Sequence, residues 1–144
     1  MSDSVSDSAP DSAVDPVTLV QTFLRLMEAR DLDAAGRRLA DGVTITFPGG
    51  RTFANLADQV ASSAGRFRDV TKTFDQYDVI ERADCDEYVV YVSGTLAGTA
   101  LDGKAFDGVR YIDRFEIRDG LIVDQRVWND LAESGVLTAT DGAR

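Results

Sequence analysis

The chain has 144 residues, 44% of them hydrophobic and 28% charged, a balance that suits one globular domain with a real core. A formal charge of -10 argues against nucleic acid as a partner, because phosphate binding needs a clustered basic face. The sequence contains no histidine, which removes histidine metal sites, Ser-His and Cys-His nucleophile pairs, and the usual general base near neutral pH.

Residues 1–14 are rich in Ser and Asp and read as a solvated tail rather than a signal peptide. Asp15-Pro16 then opens a helix, with Asp15 as N-cap and Pro16 at the first helical position. Val20, Phe23, Leu24 and Met27 fall on one side of it at helical spacing. A second short helix begins at Asp31, carries Leu32, Ala35 and Leu39, and is expected to end near Asp41-Gly42. Val43 to Phe47 alternates like a short strand and is broken by Pro48-Gly49-Gly50. A third helix is expected from Asn55 to about Arg66, with Leu56, Gln59, Val60 and Ser63 along one side.

From Lys72 onward four strand-like runs follow: Lys72 to Glu81, Glu87 to Leu101, Lys104 to Arg118, and Leu121 to Asn129. Asp102-Gly103 and Asp119-Gly120 are hairpin turn signals, so these strands form an antiparallel meander. Gly94, Gly98 and Gly108 lie inside the long strands, where glycine marks bulges and bends. A bent meander curls, and its concave face is the natural place for the helices to bury their apolar stripes. The expected fold is therefore α+β: a curved, mostly antiparallel sheet wrapped around N-terminal helices as a cone with an internal pocket. The domain runs from 15 to 137, and 138–144 form a second tail. Cys85 is the only cysteine and lies in a polar stretch with nothing to lower its pKa. It fits a cytoplasmic protein without disulfides.

The order helix, helix, short strand, helix and four-strand meander resembles the SnoaL-like branch of the nuclear transport factor two-like superfamily, over roughly Pro16 to Leu137. Tyr111-Ile112-Asp113-Arg114-Phe115 followed by Asp119-Gly120-Leu121-Ile122 is similar to the pattern on that family's last hairpin, and Val43 to Gly50 is similar to its first strand and turn. The resemblance implies that Val109, Tyr111, Asp113 and Phe115 point into the cone, as do Val123, Gln125, Val127 and Asn129 on the last strand. It also implies an outer face where Trp128 and Ile112 serve a homodimer. Relatives' catalytic sets transfer poorly. The steroid isomerase base and tyrosine correspond to Phe47 and Phe23, leaving only Asp113, the counterpart of its neutral carboxylic acid. The epoxide hydrolase Asp-Arg-Asp set corresponds approximately to Leu96, Gly94 and Val127. Dehydratase and cyclase sites of this superfamily call on a histidine that this chain lacks.

What survives is one carboxyl group in an apolar pocket, where burial raises its pKa. The expectation is an enzyme of cyclase, isomerase or dehydratase type, acting on a small apolar or carbonyl-bearing molecule. Asp113 would be proton donor and acceptor, and Tyr111 would donate to a developing enolate oxygen. Phe23, Met27, Phe47, Val109, Phe115, Gln125, Val127 and Asn129 would line the substrate site. No metal, cofactor, nucleic acid or membrane is called for. Arg51 either attracts an anionic substrate at the pocket mouth or is a solvated loop arginine. Asp113 is equally readable as a structural carboxylate bonded to Tyr111, Asn129, a backbone amide or an arginine. The alternative function is a non-catalytic ligand-binding or assembly protein on the same cone, a reading that Phe23 and Phe47 favour.

Overall fold

A computed structural model describes residues 15–82 and 86–137; the two expected tails and Cys85 lie outside the described residues. The first helix, α1 (Pro16–Glu28), starts where Asp15 accepts the backbone N–H of Thr18 at 2.9 Å. Leu19, Val20, Phe23, Leu24 and Met27 form its buried stripe. The second helix, α2 (Leu32–Gly36), is shorter than the sequence suggests. Gly36 is a poor helix residue, and the chain turns directly into β1 (Leu39–Phe47). Leu39, expected on the helix, instead pairs with Ile122. Gly42 ends no helix; it sits inside β1 with φ 78°, where the register between Leu39 and Thr44 shifts.

After the Pro48–Gly50 turn comes a short strand the sequence did not reveal, β2 (Arg51–Phe53), and then α3 (Leu56–Ala64), capped by Asn55. The strands β3 (Phe67–Lys72), β4 (Gln76–Arg82), β5 (Glu87–Ala100), β6 (Ala105–Arg118) and β7 (Leu121–Asn129) complete the sheet. Its order is β2-β1-β7-β6-β5-β3, with β4 also on β5. Only the β1–β7 pairing is parallel. β3 and β4 line the same edge of β5 as one bent strand, with Thr73 and Asp75 still donating to Thr95 and Ser93 across the bend.

Two irregularities set the curl and the parity. On β6, Gly108 (φ 66°) is the extra residue of a bulge between the pairs Leu96–Val109 and Gly98–Phe106. Between β6 and β7 a second bulge separates Glu116–Asp124 from Ile117–Ile122 and leaves Val123 unpaired. The inward position therefore passes from Val123 to Ile122, which is fully buried, while Gln125 and Val127 keep the inward places the resemblance implied. The helices pack on this concave face. Phe23 of α1 meets Phe115 of β6 edge to face, with ring centroids 6.0 Å apart, at the centre of the core. Among the described residues, no helix is long and apolar enough to cross a membrane.

Candidate functional site

The concave face is not completely filled. A cavity of about 440 Å³ remains between α1, the Phe47–Phe53 segment, α3, β3, β7 and the residues just after β7. Of the residues the sequence proposed for it, Phe23, Met27, Phe47, Gln125, Val127 and Asn129 are on its wall. Val109, Tyr111, Asp113 and Phe115 point the same way but lie behind that wall, in the packed core. Asn129 is partly committed to the chain turn, because its Oδ1 accepts the N–H of Leu131 at 3.1 Å.

Asp113 is completely buried and paired with Lys72, whose Nζ lies 3.3 Å from Oδ2. Lys72 ends β3 and does line the cavity. Its ammonium also sits 4.6 Å from the centroid of the Tyr111 ring. The partner that the sequence reading sought in Tyr111, Asn129, a backbone amide or an arginine is therefore this lysine. The Tyr111 hydroxyl is engaged elsewhere, donating to the carbonyl of Thr73 at 2.6 Å. Burial raises the Asp113 carboxyl above its ordinary range, while the charge and hydrogen bond of Lys72 pull it back. Burial, followed by the charge of Asp113, raises the Tyr111 phenol, which stays protonated.

Four buried side-chain oxygens have no hydrogen-bond partner among the described residues: Asp113 Oδ1, Gln125 Oε1, Gln59 Oε1 and the Tyr77 hydroxyl. Gln59 and Gln125 are themselves cavity-wall residues. Groups of this kind are costly when left unpaired. At the α3 side of the cavity stand Arg51 and Arg66. Arg51 donates to Ser62 Oγ at 3.0 Å and to the Pro48 carbonyl at 3.4 Å, and its guanidinium lies 5.9 Å from the centroids of both Phe47 and Phe53.

Lys72, Arg66 and Gln59 were not legible as site residues. Lys72 looks like the polar start of a strand in the sequence; only its register against Leu96, an inward residue, puts it on the concave face. An inward carboxyl group without a visible counter-charge was the one available hint.

Helices closing a curled mixed sheet over a cavity define the nuclear transport factor two-like class. A model of the SnoaL-like domain matches residues 20–125, and the chain belongs to that family. No curated protein sequence matches it. Among solved structures it is similar to TerC co-crystallised with polyporic acid, at 18% identity and TM-score 0.69 over 84% of this chain and 95% of that one. A protein of unknown function from Burkholderia pseudomallei K96243, itself of the same fold class, is 21% identical at TM-score 0.67, over 84% of this chain and 95% of that one. A Jannaschia sp. CCS1 protein described as a SnoaL-like polyketide cyclase is 21% identical at TM-score 0.62, over 93% and 98%. At these identities the likeness is one of fold.

Proposed function

We propose that the protein is a small-molecule enzyme doing acid/base chemistry on a carbonyl-bearing substrate, of cyclase, isomerase or dehydratase type. The observation that carries this reading is the Lys72–Asp113 pair, with Lys72 lining the cavity and the carboxyl group buried behind it. Nζ donates a hydrogen bond to the substrate carbonyl oxygen and favours the charge that gathers there as an enolate forms. For the transfer itself the ammonium first hands a proton to the Asp113 carboxylate, whose neutral form burial favours, and the amine so formed takes the hydrogen next to the carbonyl and returns one to the enolate. Asp113 thus acts through Lys72. Phe23, Met27, Phe47 and Val127 supply apolar contact, and the carboxamides of Gln59 and Gln125 orient the substrate. The fold relatives named above support the class: one was co-crystallised with polyporic acid and another is described as a polyketide cyclase.

The test is exchange of hydrogens next to a carbonyl group in D2O, followed by NMR on a panel of small aryl ketones. The wild type should catalyse exchange on the members it binds. Lys72→Met and Asp113→Asn should each lower the rate about 100-fold or more while circular dichroism stays native. Exchange that survives both changes in folded protein would end the reading. One observation favours a second function, a non-catalytic binder: the Tyr111 hydroxyl is spent on Thr73, leaving no tyrosine donor in the cavity. Tight binding without exchange by the wild type is its signature.

In the same reading the working form is a homodimer joined through the outer sheet face. Support comes from Trp128 and Ile112, which are cross-strand partners and are 48% and 37% exposed.

A further inference from the structure

Four cationic residues, Arg30, Arg51, Arg66 and Lys72, and two acidic ones, Glu28 and Glu133, line the cavity, and Glu28 is already paired with Arg25. Two of the cations already have local work. Lys72 neutralises Asp113, and Arg30 donates to the carbonyl of Met27 at 2.7 Å. Arg30, Arg51 and Arg66 make no ion pair among the described residues, although Glu28 and Glu133 are also on the wall, and the Arg66 side chain makes no hydrogen bond there either. Arg51 and Arg66 line the same cavity, and the charge of Arg66, after burial itself, depresses the pKa of Arg51.

Two like charges lining one cavity oppose each other, and an anion between them relieves that opposition. Arg51 is moreover fixed in advance. Ser62 Oγ and the Pro48 carbonyl take two of its donors, and two phenyl rings flank its guanidinium. That arrangement restricts the side chain before any ligand arrives and leaves further N–H donors in the planar fork, which suits a carboxylate. Gln59, on α3 itself, and Gln125, on β7, have buried side-chain oxygens without a partner among the described residues, and Phe23, Phe47 and Phe53 supply apolar wall beside them.

We propose that Arg51 and Arg66 form an acid-anchoring subsite, so that this cavity selects molecules with an apolar body and a carboxylate or similar organic anion at the α3 side. This rests on the reading of the cavity as the substrate site and adds the substrate's charge and orientation. Held by its acid end, the ligand extends past Phe47 and Phe23 toward Lys72.

The experiment uses N-phenyl-1-naphthylamine, a neutral fluorophore that brightens in apolar cavities, as reporter. The competitors are 4-biphenylcarboxylate and its methyl ester, which differ in charge and little else. With wild-type protein the acid should displace the reporter at a concentration about tenfold or more below that of the ester. Raising salt should narrow the gap. Arg66→Gln, which breaks no side-chain hydrogen bond of the fold, should remove most of the preference with ester displacement unchanged. Arg51→Gln plus Arg66→Gln should abolish it. Equal displacement by acid and ester in the wild type overturns the proposal, as does a double variant that keeps the preference or loses both competitors alike. Failure of the reporter to bind at all overturns the cavity itself and the function built on it. Absence of exchange by the wild type, with the acid preference intact, would refute only the role of Lys72 and Asp113.

Discussion

Asp113 has no exposed surface, one oxygen on Lys72 and the other on no described group, and its carboxyl is raised chiefly by burial. The sign of the pH effect follows from linkage. Below the ordinary carboxyl pKa of about 3.9, folded and unfolded chains both hold the proton and nothing is contributed. Between that value and the raised native one, the folded chain holds a proton the unfolded chain has released, so stability falls as pH rises. Above the native value the loss is complete and constant. Asp113→Asn should therefore gain on the wild type in urea unfolding as pH climbs above the ordinary carboxyl range toward the raised native value. In Lys72→Met the opposing influence is gone, so the loss should reach to higher pH than in the wild type. Parallel stability curves for wild type and Asp113→Asn would show that the carboxyl group titrates alike in both states.

At the level of elements, Gly94 decides whether these groups can meet. It pairs with Tyr111 across β5 and β6, between the inward residues Val92 and Leu96. A Cβ there would collide with the Thr73 carbonyl and come within 2.6 Å of its Oγ1. That carbonyl receives the Tyr111 hydroxyl. The missing side chain lets the bend after β3 close on β5 and leaves Lys72 a path across the Tyr111 ring to Asp113. Gly94→Ala should cost about 1–3 kcal/mol by overpacking. Combined with Tyr111→Phe, it should cost less than the two separate losses added, because both changes act on one carbonyl. Additive losses would place the collision elsewhere. The sequence announced Gly94 as a bend but not what the bend admits. Periodicity and turn chemistry were enough for α1, α3 and the two Asp-Gly hairpins, since those signals are local. β2 and β3 escaped because three- and six-residue edge strands have almost no alternation of their own. Their existence depends on β1 and β5. The cavity wall was half legible for the same reason. Parity places a side chain on a face, but which inward residues reach open space depends on how far the sheet curls.

At the scale of the whole molecule the sheet has two faces with different tasks. The concave face holds the helices and the cavity. The outer face has a charged tract in which Arg114 bonds Glu116 at 2.7 Å and approaches Asp124, while Arg126 also holds Asp124. These charges satisfy one another within a single chain. Beside them the pair Ile112–Trp128 is apolar, exposed and bordered by Arg110 and Arg126, both already held by their own aspartates. An apolar centre inside a rim of satisfied charge is the layout of a protein interface, and its central tryptophan is the residue type that most often dominates binding energy. With a second copy as the occupant, Trp128 contributes from both sides. Trp128→Asp should then weaken the dimer at least about 30-fold in sedimentation equilibrium, the equivalent of about 2 kcal/mol. The fold should persist, because the substitution touches a side chain that is half exposed and outside the core cluster. A wild type that sediments as a monomer at every concentration would leave the patch without the partner assigned to it. A variant that dimerises as well as the wild type would move the interface to another part of the surface.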